Sequence, residues 1–465
     1  MKNINLSQSQ LIALGFVTVI LIGTMFLMLP IASRGGRGTD FLTALFTAVS
    51  SCCVTGLVLV DTATHWSFFG QLVIIILIQI GGLGFVSIGV LFSIVLRKKV
   101  SLRARSLIKE STNSLSVGGV VKLTKKILCI TFTCEAVGAF LLSFRFIPEF
   151  GILKGVWFSI FHSISAFCNA GFDLMGIKYG AYNSLSAYSS DFLINIVIML
   201  LILIGGIGFI VWDDVTKHKL NLKKYRLHSK IVIFASVILF VIPTLIFFIT
   251  EQTTVLKGMS FSHSVLVSTF SDVTARTAGF NTVDFKLFSD AGKMVFIIIM
   301  FIGAGSGSTA GGIKMTTFFV LLAQVRANVL NKKITEVFNR TISNDIVVRA
   351  ATISTINISL ILVSAIVINY IDKINILDLL FEVTSAVSTV GVTTGITRDL
   401  NVISKYILIL LMYLGRVGGL SFALSLTHNK KQVKLRNPVA SVSTYRRSLT
   451  RRRWPDARRR TSCGA

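Results

Sequence analysis

Four short stretches decide the reading of this chain: FTAVSSCCVTG over Phe46 to Gly56, FHSISAFCNAG over Phe161 to Gly171, TFSDVTARTAG over Thr269 to Gly279, and FEVTSAVSTVG over Phe381 to Gly391. They align without gaps, and each ends in glycine, at Gly56, Gly171, Gly279 and Gly391, a near-even spacing. The repeat is therefore internal and fourfold. Each stretch is rich in small and hydroxyl-bearing residues, too short and too polar to cross a bilayer, and stands between two long apolar runs. Such a segment is re-entrant, and non-helical backbone at membrane depth is tolerated only inside protein or along a water-filled cavity. Four of them predict one shared aqueous axis.

Working outward, long apolar runs occupy 11–29, 69–96, 127–147, 192–212, 231–250, 294–322, 350–371 and 405–427. Each is of the length needed to span a hydrocarbon core, about 20 residues. Eight crossings follow, two for each repeat. Hydrophobic residues make up 53% of the chain and charged residues 14%. For that balance the bilayer is the natural solvent. The first run is too long for a signal peptide and has no small-residue cleavage site after Pro30, so it reads as a retained crossing. The formal net charge of +27 is concentrated between alternate crossings, in linkers 97–126, 213–230 and 323–349 and in the C-terminal tail. Cytoplasmic loops carry such an excess, which places these linkers and both chain ends in the cytoplasm of a multi-pass protein. Only isolated aromatic residues, Tyr225, Phe338, Tyr445 and Trp454, fall among these charges, too few for base stacking, which disfavours nucleic acid as a partner and leaves the lipid surface. The six cysteines form no metal-ligand pattern, and no carboxylate pair or Ser–His–Asp set argues for an enzyme. His162 and His263 read as satisfied interface histidines.

A dehydrated cation at mid-membrane needs oxygen ligands in place of its water shell, and rings of backbone carbonyls supply them without burying a net charge. Turning successive carbonyls toward one axis requires φ values that a Cβ resists, which explains the repeated glycine. The lining triplets are Val54-Thr55-Gly56, Asn169-Ala170-Gly171, Thr277-Ala278-Gly279 and Thr389-Val390-Gly391. The last begins like the TVGYG filter of K⁺ channels, but none of the four carries a second filter glycine in that register. Asp61, Asp173, Asp284 and Asp399 follow the glycines and are expected at the outer vestibule, where carboxylates concentrate cations. Asp272 and Arg276, spaced i, i+4, read as a structural ion pair.

Glycines recur in the second crossing of each unit: Gly81 and Gly82, Gly205 and Gly206, Gly303 and Gly305, and Gly415. In membrane helices such residues usually serve close packing. The third unit goes further, since GAGSGSTAGG over 303–312 is incompatible with a helix. A loop there, with Gly303, Gly305, Ser306, Gly307, Ser308, Thr309, Gly311, Gly312 and Lys314, could obstruct the path below the filter. Its phosphate-cradling alternative fails because the GxxxxGK[ST] spacing is absent. Arg416 lies within an apolar crossing, and a buried guanidinium demands acceptors, for which the loop's carbonyls and hydroxyls are the candidates.

With these residues in hand, the chain resembles the Trk/Ktr/HKT superfamily of K⁺ transporters, and within it the membrane subunits of bacterial Ktr systems, from about residue 10 to 437. The TG, NAG, TAG and TVG filters, the GAGSGSTAGGIK segment and Gly415-Arg416 carry the resemblance. It implies an all-α fold of four membrane–pore–membrane units in pseudo-fourfold symmetry, with units at 1–98, 120–215, 228–330 and 345–430. It also implies Gly56, Gly171, Gly279 and Gly391 in the filter, a gate formed by the 303–312 loop and Arg416, a homodimer in the bacterial plasma membrane, and a cytosolic RCK-type ring that binds ATP or ADP. K⁺ uptake, often stimulated by Na⁺, would be the activity, with no cofactor on this chain beyond the transported ion. Relatives with serine at the first filter glycine favour Na⁺, so Gly56 points to K⁺. The alternative is a Na⁺-coupled cation carrier working by alternating access, since broken helices also mark carriers, but those commonly show inverted repeats. From Pro438 the composition changes: the stretch 438–465 holds eight Arg and no Lys, which predicts a tail of foreign origin, a point that sequencing the 3′ end of the coding region settles.

Overall fold

In the computed structural model, the residues described are 8–84, 120–219, 221–332 and 334–418. The chain divides into a compact unit, Met1–Leu426, and a second unit, Thr427–Ala465. The second unit with its Arg-rich tail, most of linker 97–126 and the distal parts of the runs at 69–96 and 405–427 lie outside the described residues. The described part is mostly helical. Its longer helices are α1 (Gln8–Met28), α2 (Phe41–Cys53), α3 (Phe68–Leu83), α4 (Val120–Phe150), α5 (Ile152–Phe167), α6 (Phe192–Gly206), α7 (Phe209–His218), α8 (Leu227–Thr250), α9 (Phe261–Ala275), α10 (Asp290–Phe301), α11 (Met315–Val329), α12 (Asn344–Asp372), α13 (Ile376–Val387) and α14 (Val402–Val417). One hairpin, β1 (Thr335–Val337) with β2 (Arg340–Ile342), is antiparallel.

The elements recur in a fixed order of long helix, short helix, extended segment and second helix. The long ones, α1, α4, α8 and α12, are each long and apolar enough to span a bilayer, and only 22% to 33% of their apolar windows is buried within the protein. Ile358, Leu362, Val363 and Ile366 on α12 are typical of side chains turned outward. In water such faces would be a liability, whereas against lipid they cost nothing, which makes this a multi-pass membrane protein.

The short helices α2, α5, α9 and α13 are buried where the long ones are not: Phe46, Phe161, Phe270 and Phe381 are 0% to 1% exposed. Three begin with a side-chain cap, from Asp40, Ser260 and Asn375, and the fourth follows α4 directly through Gly151 at φ 80°. Ser67, Asp191, Ser289 and Asn401 cap α3, α6, α10 and α14 in the same way. Each satisfies an amide that would otherwise be orphaned.

The second helices depart from the sequence expectation. The run at 192–212 predicts one continuous crossing, but α6 and α7 meet at a 96° bend. Gly208, at the break, sits at φ 99°, and the Phe209 amide is drawn to the Gly307 carbonyl at 2.7 Å. The 303–312 segment thus replaces the helical bond that the bend removes. The run at 294–322 is interrupted, as its glycines require, between α10 and α11.

Candidate functional site

Each short helix ends by turning its chain through the left-handed region. The first residue of every triplet, Val54, Asn169, Thr277 and Thr389, has φ between 50° and 73°, and the glycine two places later has φ between 68° and 102°. The intervening Thr55, Ala170, Ala278 and Val390 are not left-handed. Alternation of this kind turns consecutive carbonyls toward the same side. The glycines at positive φ match the sequence argument. The left-handed residues before them do not follow from it, because three are β-branched and carry no sequence signal for that conformation.

The four glycines lie against one another. A Cβ built on Gly56 would stand 2.6 Å from the Ala170 carbonyl oxygen, one on Gly171 would stand 2.6 Å from the Gly279 Cα, one on Gly279 would stand 2.8 Å from the Val390 carbonyl oxygen, and one on Gly391 would stand 2.8 Å from the Gly56 Cα. These approaches close a ring in chain order, and every neighbour is backbone that cannot step aside. All twelve triplet residues are buried.

Hydroxyls brace the turns from behind. The Gly56 and Gly391 amides donate to Ser50 Oγ at 3.1 Å and to Ser385 Oγ at 3.0 Å, while Ser165 Oγ and Thr274 Oγ1 donate to the carbonyls of Phe172 and Phe280 at 2.8 and 2.5 Å. The third unit is displaced by one position here. Thr55, Ala170 and Val390 donate from N–H to the carbonyl five places back, but Ala278 reaches only to Thr274, four back. The gap-free alignment therefore holds at the triplets and slips by one position just before the third. The C-terminal ends of α2, α5, α9 and α13 lead straight into the triplets, so the partial negative charge of each helix end is directed at the ring, as a cation there requires.

A cavity of about 80 Å³ opens on the ring and is lined by all four glycines with Asp61, Asp173 and Arg398. Asp284 and Asp399 are exposed and lie outside its lining, so the four carboxylates do not form the expected ring. Asp61 is 5% exposed and serves the backbone, accepting from the amides of Ala63, Thr64 and Tyr182 at 2.8 to 3.1 Å. Asp284 accepts from Lys286 N–H and caps a turn. Repetition in sequence does not carry over because the loops after the glycines differ in length.

On the other side of the ring, the recurrent glycines of the second helices are contact points. Cβ atoms on Gly205 and Gly415 would stand 3.0 Å from the carbonyl carbons of Phe167 and Val387, and one on Gly81 would stand 2.8 Å from that of Cys52. Those three residues each lie two places before their triplet. The third unit breaks the pattern, since Gly303 meets the Gly311 carbonyl of its own loop.

That loop, between Ile302 and Lys314, crosses beneath the ring. The Gly305 amide donates to the Gly206 carbonyl at 2.9 Å, Thr309 Oγ1 donates to the Phe167 carbonyl at 3.1 Å, and a Cβ on Gly311 would stand 3.0 Å from Thr389 Cβ. Ser308 Oγ donates to Gly305 within the loop, and Ser306 Oγ pairs with Thr316 Oγ1. Lys314 Nζ donates to the carbonyls of Ala310 at 2.7 Å and Gly311 at 3.1 Å. The Arg416 guanidinium bonds the Thr309 carbonyl and, on α3, the carbonyls of Gly81 and Gly82. The loop carbonyls anticipated as acceptors are only part of the set; the α3 carbonyls have no distinguishing sequence signal.

Two expectations fail nearby. Arg276 is the first residue beyond α9 and has left its helical face, so it donates to the Ser236 carbonyl at 3.2 Å, and no ion pair with Asp272 is among those of the described residues. His162 is satisfied by the Phe158 carbonyl and the Leu174 amide, but the buried Nε2 of His263 has no hydrogen-bond partner among the described residues.

The profile of the TrkH family, described as cation transport protein, matches residues 7–435. The chain is 43% identical to the potassium/sodium uptake protein NtpJ of Enterococcus hirae, over 94% of this chain and 97% of that one. It is 38% identical to the Ktr system potassium uptake protein B of Bacillus subtilis, over 95% and 98%. The crystal structure of the potassium transporter TrkH from Vibrio parahaemolyticus superposes with a TM-score of 0.71 at 18% identity, covering 92% of this chain and 86% of that one, which establishes a shared fold. These relatives are ion transporters rather than enzymes, and the chain belongs to the TrkH family of cation transport proteins.

Proposed function

We propose that this chain takes up K⁺ across the bacterial plasma membrane as the channel-like, ion-translocating subunit of a Ktr-type system. One observation carries the reading: four backbone turns with the same alternation of φ, contributed by four widely separated stretches of the chain, meet glycine against glycine in chain order. Carbonyls of Val54, Thr55, Gly56, Asn169, Ala170, Gly171, Thr277, Ala278, Gly279, Thr389, Val390 and Gly391 replace the hydration shell of the ion, aided by the helix ends. The units at 1–98, 120–215, 228–330 and 345–430 then surround one pore in pseudo-fourfold symmetry. The B. subtilis relative, named for potassium uptake, supports the choice of ion, and the E. hirae relative is named for potassium and sodium uptake.

The loop at 303–312 is the gate. It lies directly under the ring, and Arg416 adds positive charge where a cation leaving the filter would pass, in a medium that screens poorly. Arg416 ties the loop to α3, so opening requires those bonds to part. A cytosolic nucleotide-binding ring of the RCK type, carrying ATP or ADP, supplies the work of opening, and Na⁺ stimulates uptake. The chain functions as a homodimer with both ends in the cytoplasm, the side that holds the basic linkers.

The test is K⁺ against Na⁺ flux into proteoliposomes holding the purified chain, with Gly391→Ser and a 303–312 deletion alongside. K⁺ flux that loses selectivity with the serine and rises with the deletion is expected. Flux that saturates early, needs Na⁺ and ignores Gly391→Ser would instead establish an alternating-access carrier.

A further inference from the structure

Where α11 leaves the gate loop and runs toward the hairpin, a cavity of about 340 Å³ opens between α8, α11, β1 and the turn after it. That volume lies within the range of built ligand sites, roughly 300–1,000 Å³. Its floor is apolar: Ile231 and Phe234 from α8, Phe319 and Leu322 from α11, and Phe338 from the hairpin turn. Phe234 holds the walls together, edge-on to Phe319 at 6.4 Å and to Phe338 at 5.9 Å between ring centres. A second cavity of about 210 Å³ continues from it, sharing Ala323, Arg326, Glu336 and Phe338 and adding Lys332.

The charges at the junction are unequal. Glu336 stands 4.0 Å from Lys332, and Arg326 is in no ion pair among those of the described residues, so the rim presents two cations against one carboxylate. The N-terminal end of α8, which forms one wall, follows directly on Lys217, Lys219, Lys223, Lys224 and Arg226, a basic stretch of the kind that faces a headgroup layer. An apolar slot beside the first turns of a membrane helix, ending in excess positive charge at that depth, matches a molecule with an acyl chain and an anionic head.

We propose that the slot between α8, α11 and the β1–β2 hairpin binds an anionic phospholipid, its phosphate between Arg326 and Lys332 and one acyl chain along Phe234, Phe319 and Leu322. The site sits on the helix that carries the gate loop. The Met315 amide at the head of α11 donates to the Ala304 carbonyl at 3.1 Å, and Ser236 of α8 reaches Met315 Sδ at 3.6 Å. A lipid wedged between α8 and α11 therefore braces the segment from which the gate hangs.

Lipid retention by the full-length chain, read by native mass spectrometry after exchange into defined mixed micelles, tests this independently of any flux. Phosphatidylglycerol should be retained in preference to phosphatidylcholine. At about fivefold per basic residue near a headgroup, Arg326→Ala with Lys332→Ala should reduce that preference roughly thirtyfold. Ala323→Trp, which fills the junction and leaves both charges, should abolish retention of either lipid. Equal retention of the two lipids by the unmodified chain, or a preference that survives the double substitution, overturns the proposal. Soluble glycerol phosphate competing as well as the lipid would reduce the slot to an anion site, and efficient disulfide formation between copies of an Ala323→Cys chain in vesicles would assign it to a second copy instead.

Discussion

Gly279→Ala is the substitution whose outcome bears most directly on the filter. Its Cβ would meet three of the other units at once: the Val390 carbonyl oxygen at 2.8 Å, the Gly171 Cα at 2.9 Å and the Thr55 carbonyl oxygen at 3.3 Å. Contacts this close with backbone require displacement, because no side chain is available to rotate away. The residue would also hold φ 86°. A Cβ in that region costs on the order of 1–3 kcal/mol. The ring relieves both by moving carbonyls outward by a few tenths of an ångström. A tenfold preference for one ion corresponds to only about 1.4 kcal/mol, so a displacement that costs a comparable amount is enough to erase it. We expect the variant to assemble, lose about tenfold or more of its K⁺ over Na⁺ preference in proteoliposome flux, and show lowered total K⁺ flux. Wild-type flux and selectivity in a monodisperse Gly279→Ala protein would refute the ring as the selective element.

Gly155→Ala supplies the contrast, since its Cβ would meet the Ile147 Cα at 2.6 Å, away from the ring. It should lower Tm through about 1–3 kcal/mol of overpacking and leave the ion preference unchanged. Ser50→Ala strips the buried Gly56 amide of its acceptor. That loss costs about 1–3 kcal/mol and should loosen the first turn of the filter, measurable as a loss of selectivity larger than the loss of Tm. Arg416→Ala should raise basal K⁺ flux several-fold by releasing Thr309 from α3, whereas unchanged or lower flux from a folded protein would remove Arg416 from the gate. Arg416→Lys should raise basal flux less than the alanine variant, because it keeps the positive charge while one ammonium cannot span carbonyls on two elements as a guanidinium does.

Much of this architecture is legible in the sequence because membrane burial imposes coarse, periodic demands. Apolar runs of bilayer length mark α1, α4, α8 and α12, and the glycine-ended stretches mark the turns that need positive φ. What escapes is set by contacts between units. Val54, Thr277 and Thr389 have side chains that disfavour the left-handed region, and no local signal places them there. The packing around the ring overrides a cost of about 1–2 kcal/mol at each. The carboxylates fail for the opposite reason, as a recurring residue type does not make a recurring position, and Asp61 is committed to capping its own turn.

The third unit departs from the pattern at three points: the Ala278 amide bonds four places back and not five, Gly303 packs on its own loop and not on the end of the short helix, and a long loop separates α10 from α11 where α6 and α7 of the second unit meet at a tight bend. The three departures belong together. Where the other units press a glycine of the second helix against the carbonyl two places before the triplet, the third has moved that helix away and filled the space beneath the ring with 303–312. A segment supplied by one unit alone sets that unit apart from the other three. Asymmetry in one unit is the simplest way to supply a single strand across the axis, and Arg416 from the next unit, with Gly81 and Gly82 from the first, holds it there.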